Sequence, residues 1–185
     1  MKAFLVPSGV PEFAHLVDAE IVPALRAAAS AGLLVAVHAE DARTTARLAR
    51  AGRVGGNAAA WLASRPAASE AVAIRRLARA AMEAGARVHI VHVSSAAGVR
   101  EIRRARGAGV AITAETCPHY LTFTSADVRR VGAVLKCAPP IRGAADRGAL
   151  WRAVISGDLD LVASDHSPSP ATLKEGDMLD RKSVV

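Results

Sequence analysis

The chain has 185 residues, of which 51% are hydrophobic, and a formal net charge of +7 with a pI near 10.4. A chain of this length and hydrophobicity can bury a core in one domain, which excludes an intrinsically disordered protein. The positive charge invites a nucleic-acid function, but aromatic residues make up only 3% of the chain, which leaves little to stack on bases. Most arginines are spaced for solvated helix faces, so we expect no nucleic-acid partner.

The sequence also favours a cytoplasmic protein. Cys117 and Cys137 stand alone, without CxxC spacing or a disulfide-rich pattern, which is typical of a reducing compartment. The first residues, MKAFLVPSGV, do not form a signal peptide. No run approaches the roughly 20 consecutive apolar residues that span a bilayer, so we expect no membrane partner.

Short apolar runs alternate along the chain with longer Ala-, Leu- and Arg-rich runs that have helical spacing. In chain order, strands are predicted at residues 2–6, 33–38, 88–92, 111–114 and 159–163. Helices are predicted at residues 18–31, 42–51, 66–85, 96–106 and 144–156, and residues 53–66 are predicted to be irregular. This alternation is typical of a parallel α/β architecture.

Two parallel α/β architectures fit this pattern, a doubly wound open sheet and a (β/α)8 barrel. The chain has neither a GxGxxG nor a GxxxxGK[ST] motif, which weakens the nucleotide-binding forms of the open sheet. Candidate site residues follow several separate strands, which favours the barrel. Because a full barrel takes about 250 residues, we predict a partial (β/α)8 TIM-type barrel, with residues 1–185 as a single domain.

Side chains that can bind a metal or move a proton follow the predicted strands. His38 and His92 end the second and third strands, His119 follows the fourth, and Asp165 follows the fifth. Since the carboxyl ends of parallel strands meet at one edge, we expect these groups to share a pocket. Each has a structural alternative, because a strand-end histidine often packs and an aspartate often caps a turn.

Only one histidine of the third predicted strand can face that pocket. His89 and His92 differ by an odd number of positions, so on a strand their side chains point to opposite faces. We choose His92, at the end of the strand, and assign His89 to packing or an outer role. The segments CPHY, which begins at Cys117, and KCAPPIR, which begins at Lys136, are predicted to be loops that either line a substrate pocket or are only structural.

The motifs VHAED, VHVSSAAGVREI, ETCPHYLTF, KCAPPIR and SDHSPSP occur in this order between about residue 1 and residue 175. Together they resemble the allantoinases of the cyclic amidohydrolase group. Dihydroorotases and hydantoinases share the architecture, but Tyr120 after His119, the KCAPPIR loop and Ser167 are more similar to allantoinases. The resemblance implies hydrolysis of a cyclic amide C–N bond, with allantoin converted to allantoate and dihydroorotase or hydantoinase (dihydropyrimidinase) activity as the alternatives.

The resemblance also implies a (β/α)8 barrel with two divalent metal ions, often zinc, bridged by a carboxylated lysine. Lys2 corresponds to that lysine, as N6-carboxylysine, and His38 and His92 correspond to histidine ligands of the second metal. Asp165 corresponds to the ligand that also moves the catalytic proton. The expected substrate is a small cyclic ureide, and the intact parent is expected to be a homo-oligomer. Substrate contacts are expected from Ser94, His119, Cys137, Pro139 and Ser167.

One part of the family pattern is absent. The family carries a His-x-His pair on its first strand, whereas the six histidines here, at positions 15, 38, 89, 92, 119 and 166, include no such pair. Residues from about 176 to 185 do not resemble the family's continuation. We therefore expect a partial sequence, without the N-terminal strands and the C-terminal part, and little or no allantoinase activity from the chain alone. The alternative is a catalytically incomplete fragment that only binds metal.

Overall fold

A computed structural model describes residues 1–9, 11–51 and 57–166. The strands are β1 Lys2–Phe4, β2 Leu34–His38, β3 Arg87–Ile90, β4 Ile112–Thr116 and β5 Leu161–Val162. The helices are α1 Asp18–Ser30, α2 Ala42–Ala51, α3 Ala58–Ser64, α4 Ala67–Ala84, α5 Ala96–Gly107, α6 Pro118–Thr122, α7 Ser125–Val131 and α8 Ala144–Ile155, with a 3₁₀ helix at Gly132–Leu135.

The five strands form one sheet in the order β1-β2-β3-β4-β5, and every neighbouring pair is parallel. Lys2 pairs with Ala36 at one edge of the sheet, and Glu115 pairs with Leu161 at the other. Spatial order follows chain order, so each strand lies beside the next one in sequence. The predicted parallel α/β class is confirmed.

The core lies between one face of the sheet and the helices. On β3, Val88 and Ile90 are 0% and 1% exposed and belong to this core, together with Ile74 and Leu77 of α4. Because strand side chains alternate, His89 lies on the opposite face. There its Nδ1 is 2.8 Å from Thr113 Oγ1 and its Nε2 is 3.1 Å from Glu115 Oε2, consistent with the packing role expected for it.

Several predicted boundaries were wrong for local physical reasons. The stretch predicted to be irregular contains α3, whose first turn is capped by Asn57 accepting a hydrogen bond from the Ala60 amide. The CPHY segment is not a loop, because Pro118 begins α6. Beyond it, Asp127 accepts hydrogen bonds from the amide and hydroxyl of Thr124 at the start of α7.

The two edge strands are shorter than predicted. β1 ends at Phe4 and β5 consists of Leu161 and Val162 only, because in the described part of the chain each edge strand pairs with one neighbour. Within residues 1–9, 11–51 and 57–166, no helix combines the length and hydropathy needed to cross a membrane. Ser167 and the tail from about residue 176 lie outside the described residues.

Candidate functional site

The candidate site lies at the carboxyl ends of the strands. His38 is the last residue of β2, His92 follows β3 by two residues, and Asp165 follows β5 by three. His92 and Asp165 have φ of 44° and 45°, a left-handed conformation that costs residues other than glycine roughly 1–3 kcal/mol and tends to occur at functional sites. Two of the predicted metal ligands are therefore the two described non-glycine residues held in this conformation.

His38 and His92 form a buried pair, which we call the central pair. Their ring centroids are 4.5 Å apart with the rings edge to face, and the residues are 7% and 3% exposed. Burial, with smaller contributions from the positive charges of His38 and Lys2, lowers the pKa of His92 well below its usual value. The Nδ1 atom of His92 is buried and has no hydrogen-bond partner among the described residues.

Lys2 and Asp165 form a second, more open pair, which we call the edge pair. Lys2 Nζ lies 3.9 Å from Asp165 Oδ1, and each side chain is 43% exposed. Lys2 belongs to β1 and Asp165 follows β5, which are the two edge strands of the sheet. The ends of the sheet therefore approach each other at this rim, as expected of a curved sheet that forms part of a barrel.

The donors of the two pairs fit a divalent metal by chemical type. Imidazole nitrogens and carboxylate oxygens are common ligands of zinc and related ions, and the unpartnered His92 Nδ1 is a buried lone-pair or N–H position that no described group satisfies. Across the described ranges, however, no three His, Cys, Asp or Glu side chains are grouped closely enough to hold a metal together. The donor set matches part of a metal site and does not enclose an ion by itself.

A fully buried carboxylate, Glu40, lies behind the central pair. Glu40 Oε2 is 2.8 Å from His38 Nε2 and also accepts a hydrogen bond from Arg65. Burial alone raises the pKa of Glu40, but the hydrogen bond with His38 and the charges of Arg65 and Arg142 outweigh it and lower the pKa. Glu40 is therefore ionised and holds one nitrogen of His38.

Glu70, in α4, is a second buried carboxylate, and it contacts the residues that begin α5. Glu70 Oε1 accepts hydrogen bonds from the amide and hydroxyl of Ser94, at 2.8 and 3.0 Å, and Ser95 donates to the other oxygen. Burial raises the pKa of Glu70. Ser94 Oγ also accepts from Arg142 Nε at 3.1 Å. Ser94, predicted to contact substrate, is completely buried and already engaged by these two side chains.

Three more of the predicted substrate residues are described, and His119, Cys137 and Pro139 lie around Tyr120. The Tyr120 hydroxyl donates to the carbonyl oxygen of Pro139 at 2.6 Å, which ties α6 to the KCAPPIR loop. Burial raises the pKa values of Cys117 and Cys137 to about 12, so both thiols stay protonated. His119 is partly exposed, and its ring centroid lies 4.2 Å from that of Tyr120. Burial lowers the pKa of His119, and the charge of Asp165 opposes this.

Sequence reasoning did not assign the buried charged residues behind the site. Glu40 and Arg142 lie within the VHAED and KCAPPIR motifs, so their presence in motifs was a usable signal. Glu70 lies inside the long helix α4 among alanines and arginines. Nothing in its spacing distinguishes it from a solvated surface residue.

Comparison with known proteins gives a consistent assignment, although no family model matches the chain. The allantoinase of Solibacter usitatus is 49% identical over 178 residues, which cover 95% of this chain and 39% of the relative. The allantoinase of Deinococcus radiodurans is 44% identical over 176 residues, with 94% and 39% covered. The chain thus spans about two fifths of the length of the curated relatives it matches.

Solved structures show the same relationship at the level of the fold. The L-hydantoinase (dihydropyrimidinase) of Arthrobacter aurescens superimposes with a TM-score of 0.89 at 34% identity, over 94% of this chain and 39% of that one. A D-hydantoinase superimposes with a TM-score of 0.90 at 27% identity, over 99% and 41%. These structures have the TIM-barrel amidohydrolase fold, which confirms the predicted partial barrel. Over nearly its whole length the chain is therefore similar to part of the allantoinases in sequence and to part of the hydantoinases in fold.

Proposed function

We propose that the chain is part of a metal-dependent hydrolase that opens a cyclic amide C–N bond, with allantoin as substrate and allantoate as product. The observation that carries the proposal is the approach of the edge pair, at 3.9 Å, at the same strand ends as the central pair, whose rings are 4.5 Å apart. The name allantoinase, shared by relatives at 44–49% identity, supports the choice of substrate. Residues 1–185 would form a single partial barrel domain.

Four residues of this chain would contribute to holding the metal ions in the complete site. These are Lys2, carried as N6-carboxylysine, together with His38, His92 and Asp165. A bound divalent metal, and two in the intact family, would polarise the ring carbonyl and lower the pKa of the attacking water. Zinc fits these nitrogen and oxygen donors, and cobalt or manganese would fit them as well.

The chain's own residues prepare this chemistry. His92 is neutral because of its burial, so its imidazole has a lone pair to offer without first losing a proton. Asp165 is 43% exposed at the rim, where its carboxylate would accept a proton from the attacking water and return it to the leaving ring nitrogen. Asp165 is therefore the proposed catalytic residue.

Substrate binding would use the segments that follow the strands at the same rim. His119 is partly exposed, and the charge of Asp165 acts on its pKa, so His119 would contact the ring substituent directly. Ser167, which lies outside the described residues, would be a second contact. Cys137 and Ser94 are buried and would act by shaping the loop. Pro139 would do the same, since Tyr120 binds its carbonyl oxygen.

Hydantoinase (dihydropyrimidinase) and dihydroorotase activities are the alternative reactions of the same site. The two solved structures compared above are hydantoinases, one of them also named a dihydropyrimidinase, but their identity of 27–34% is lower than that to the allantoinases. This difference favours allantoin over hydantoins. We also propose a cytoplasmic location and a homo-oligomeric intact parent.

A catalytically incomplete metal-binding fragment is a second candidate. It is favoured by one observation, the absence of a His-x-His pair among the six histidines. Such a chain would bind one metal weakly through the central pair and turn over no substrate.

A metal titration followed by a chimera tests these proposals. Zn²⁺ should bind the chain, and the Lys2→Met variant should bind Zn²⁺ more weakly. To measure turnover, the matching segment of the Solibacter usitatus allantoinase would be replaced by this chain's residues, and allantoin, hydantoin and dihydroorotate would be compared as substrates. We expect allantoin to be opened fastest, and Asp165→Asn in the chimera to lower kcat at least about 100-fold.

Asp158→Asn is the matched control, since Asp158 makes a surface ion pair with Arg103 at 3.6 Å. This variant should keep normal turnover. A chimera that binds zinc but opens none of the three rings would refute the hydrolase and favour the incomplete fragment.

A further inference from the structure

We propose that Glu40 is a positioning residue that fixes the proton of His38 on Nε2, so that Nδ1 is the nitrogen His38 presents to a metal. The inference deepens the proposed function and rests on it for the identity of the ligand as a metal. It states which nitrogen of the His38 ring would bind the metal, and it gives a role to Glu40, which would not contact the metal itself.

The contact that carries the inference is the hydrogen bond between His38 Nε2 and Glu40 Oε2, at 2.8 Å. A carboxylate oxygen only accepts hydrogen bonds, so the imidazole nitrogen facing it must carry the hydrogen. In a neutral imidazole the other nitrogen then holds the lone pair. A carboxylate placed in this way also makes the ligating nitrogen a better donor to a cation.

Glu40 is itself held in place on two sides. Arg65 donates to the same oxygen, Oε2, and the Glu40 side chain has no solvent exposure. The Arg65 guanidinium stacks over the ring of Trp61, with its central carbon 5.0 Å from the ring centroid. Arg142 donates to the backbone carbonyl of Arg65. The carboxylate therefore has little freedom to turn away from His38.

The same contacts explain why Glu40 is not proposed as a metal ligand. Its Oε2 is occupied by His38 and Arg65, and its Oε1 is buried without a hydrogen-bond partner among the described residues. His38 lies between Glu40 and the centre of the site, because its ring meets the edge of the His92 ring at 4.5 Å between centroids. Glu40 thus acts through His38.

Long-range ¹H–¹⁵N correlation spectra of the metal-free chain test the tautomer directly. Spectra would be recorded in chelator at a pH where imidazoles are neutral, with the His38 signals assigned by their loss in His38→Gln. We expect His38 to be protonated on Nε2 and unprotonated on Nδ1. Protonation on Nδ1 would overturn the inference, because the tautomer itself is read from the unmodified chain.

Glu40→Gln tests the consequence for metal binding. An amide can accept from or donate to an imidazole nitrogen, so the variant should show a mixture of His38 tautomers and a Zn²⁺ affinity about 10- to 100-fold weaker by calorimetry. Unchanged affinity together with an unchanged tautomer would refute the positioning role.

Glu101→Gln is the matched control. Glu101 is also a buried carboxylate bound by two arginines, Arg75 and Arg104, but it lies on α5, among the outer helices. This variant should lose stability while keeping the His38 tautomer and the zinc affinity of the unmodified chain. If the unmodified chain binds no zinc but His38 is protonated on Nε2, the metal-dependent function fails and the assignment of the proton stands.

Discussion

The central pair and the edge pair lie at the same rim but are built differently. His38 ends the inner strand β2 and His92 follows the inner strand β3. Both are almost completely buried, and the carboxylate of Glu40 contacts His38. Lys2 and Asp165 belong to the edge strands or follow them, and each side chain is 43% exposed. Local packing therefore fixes the central pair, whereas the curvature of the whole sheet sets the edge pair.

This difference indicates which part of the site a fragment can preserve. A buried pair surrounded by hydrogen bonds keeps its geometry as long as the adjacent strands and helices are folded. A pair between two sheet edges depends on how far the sheet curls, which five short strands restrain less than a closed barrel does. We expect substitutions near the central pair to affect stability and those at the edge pair to affect mainly ligand binding.

The largest expected effect is at Gly98, where α5 passes over Glu70. A methyl group at this position would lie 2.8 Å from Glu70 Oε2 and 3.2 Å from Ile74 Cδ1. Glu70 cannot move aside, because Ser94 and Ser95 hold both of its oxygens. Overpacking costs about 1–3 kcal/mol, and the higher helix propensity of alanine offsets about 1 kcal/mol of this, so Gly98→Ala should lower the free energy of unfolding in urea by up to about 2 kcal/mol.

Gly107→Ala is the matched control on the same helix. An added methyl group meets nothing within 4 Å there, so the higher helix propensity of alanine should raise stability by a few tenths of a kcal/mol, and by at most about 1 kcal/mol. If both variants change stability in the same direction, the Glu70 side chain moves to accommodate the added methyl group and is not held rigidly against α5.

The contrast between the two pairs also explains what the sequence predicted. The apolar runs of β2, β3 and β4 and the residues that follow them predicted the inner strands well, because burial on a strand leaves a strong sequence pattern. The edge strands were predicted too long, since β5 has only two residues. The buried carboxylates Glu40 and Glu70 were not assigned a role from the sequence, because their hydrogen-bond partners are distant along the chain. Arg65 is 25 residues from Glu40, and Ser94 is 24 residues from Glu70.

The next effect in size is a dependence of stability on pH that comes from the central pair. Burial lowers the pKa of His92 below the usual 6.5, so the unfolded chain binds a proton more readily than the folded chain does. Its contribution to stability is complete above pH 6.5 and is lost as the pH falls below that value toward the pKa of the folded state. For one such group the loss is about 1 kcal/mol between pH 6.5 and pH 5.5.

His92→Asn isolates this contribution, since asparagine tolerates the left-handed backbone of residue 92 and does not titrate. Urea unfolding of both chains in chelator, at several pH values, gives the difference curve. The difference in unfolding free energy between the unmodified chain and His92→Asn should become smaller as the pH falls from about 6.5 to about 5.5. Parallel curves would mean that His92 has the same pKa in the folded and unfolded chains and that its burial has no electrostatic cost.

The smallest effect on stability is expected at the edge pair. Because Lys2 and Asp165 are partly exposed, Lys2→Met should change the unfolding free energy by less than about 1 kcal/mol. Arg26→Met breaks a comparable exposed pair, with Glu83 at 3.0 Å, and is the matched control. Both variants should unfold almost like the unmodified chain, whereas only Lys2→Met should weaken Zn²⁺ binding. Equal zinc affinity in the two variants would mean that the approach of the sheet edges serves packing and not a ligand.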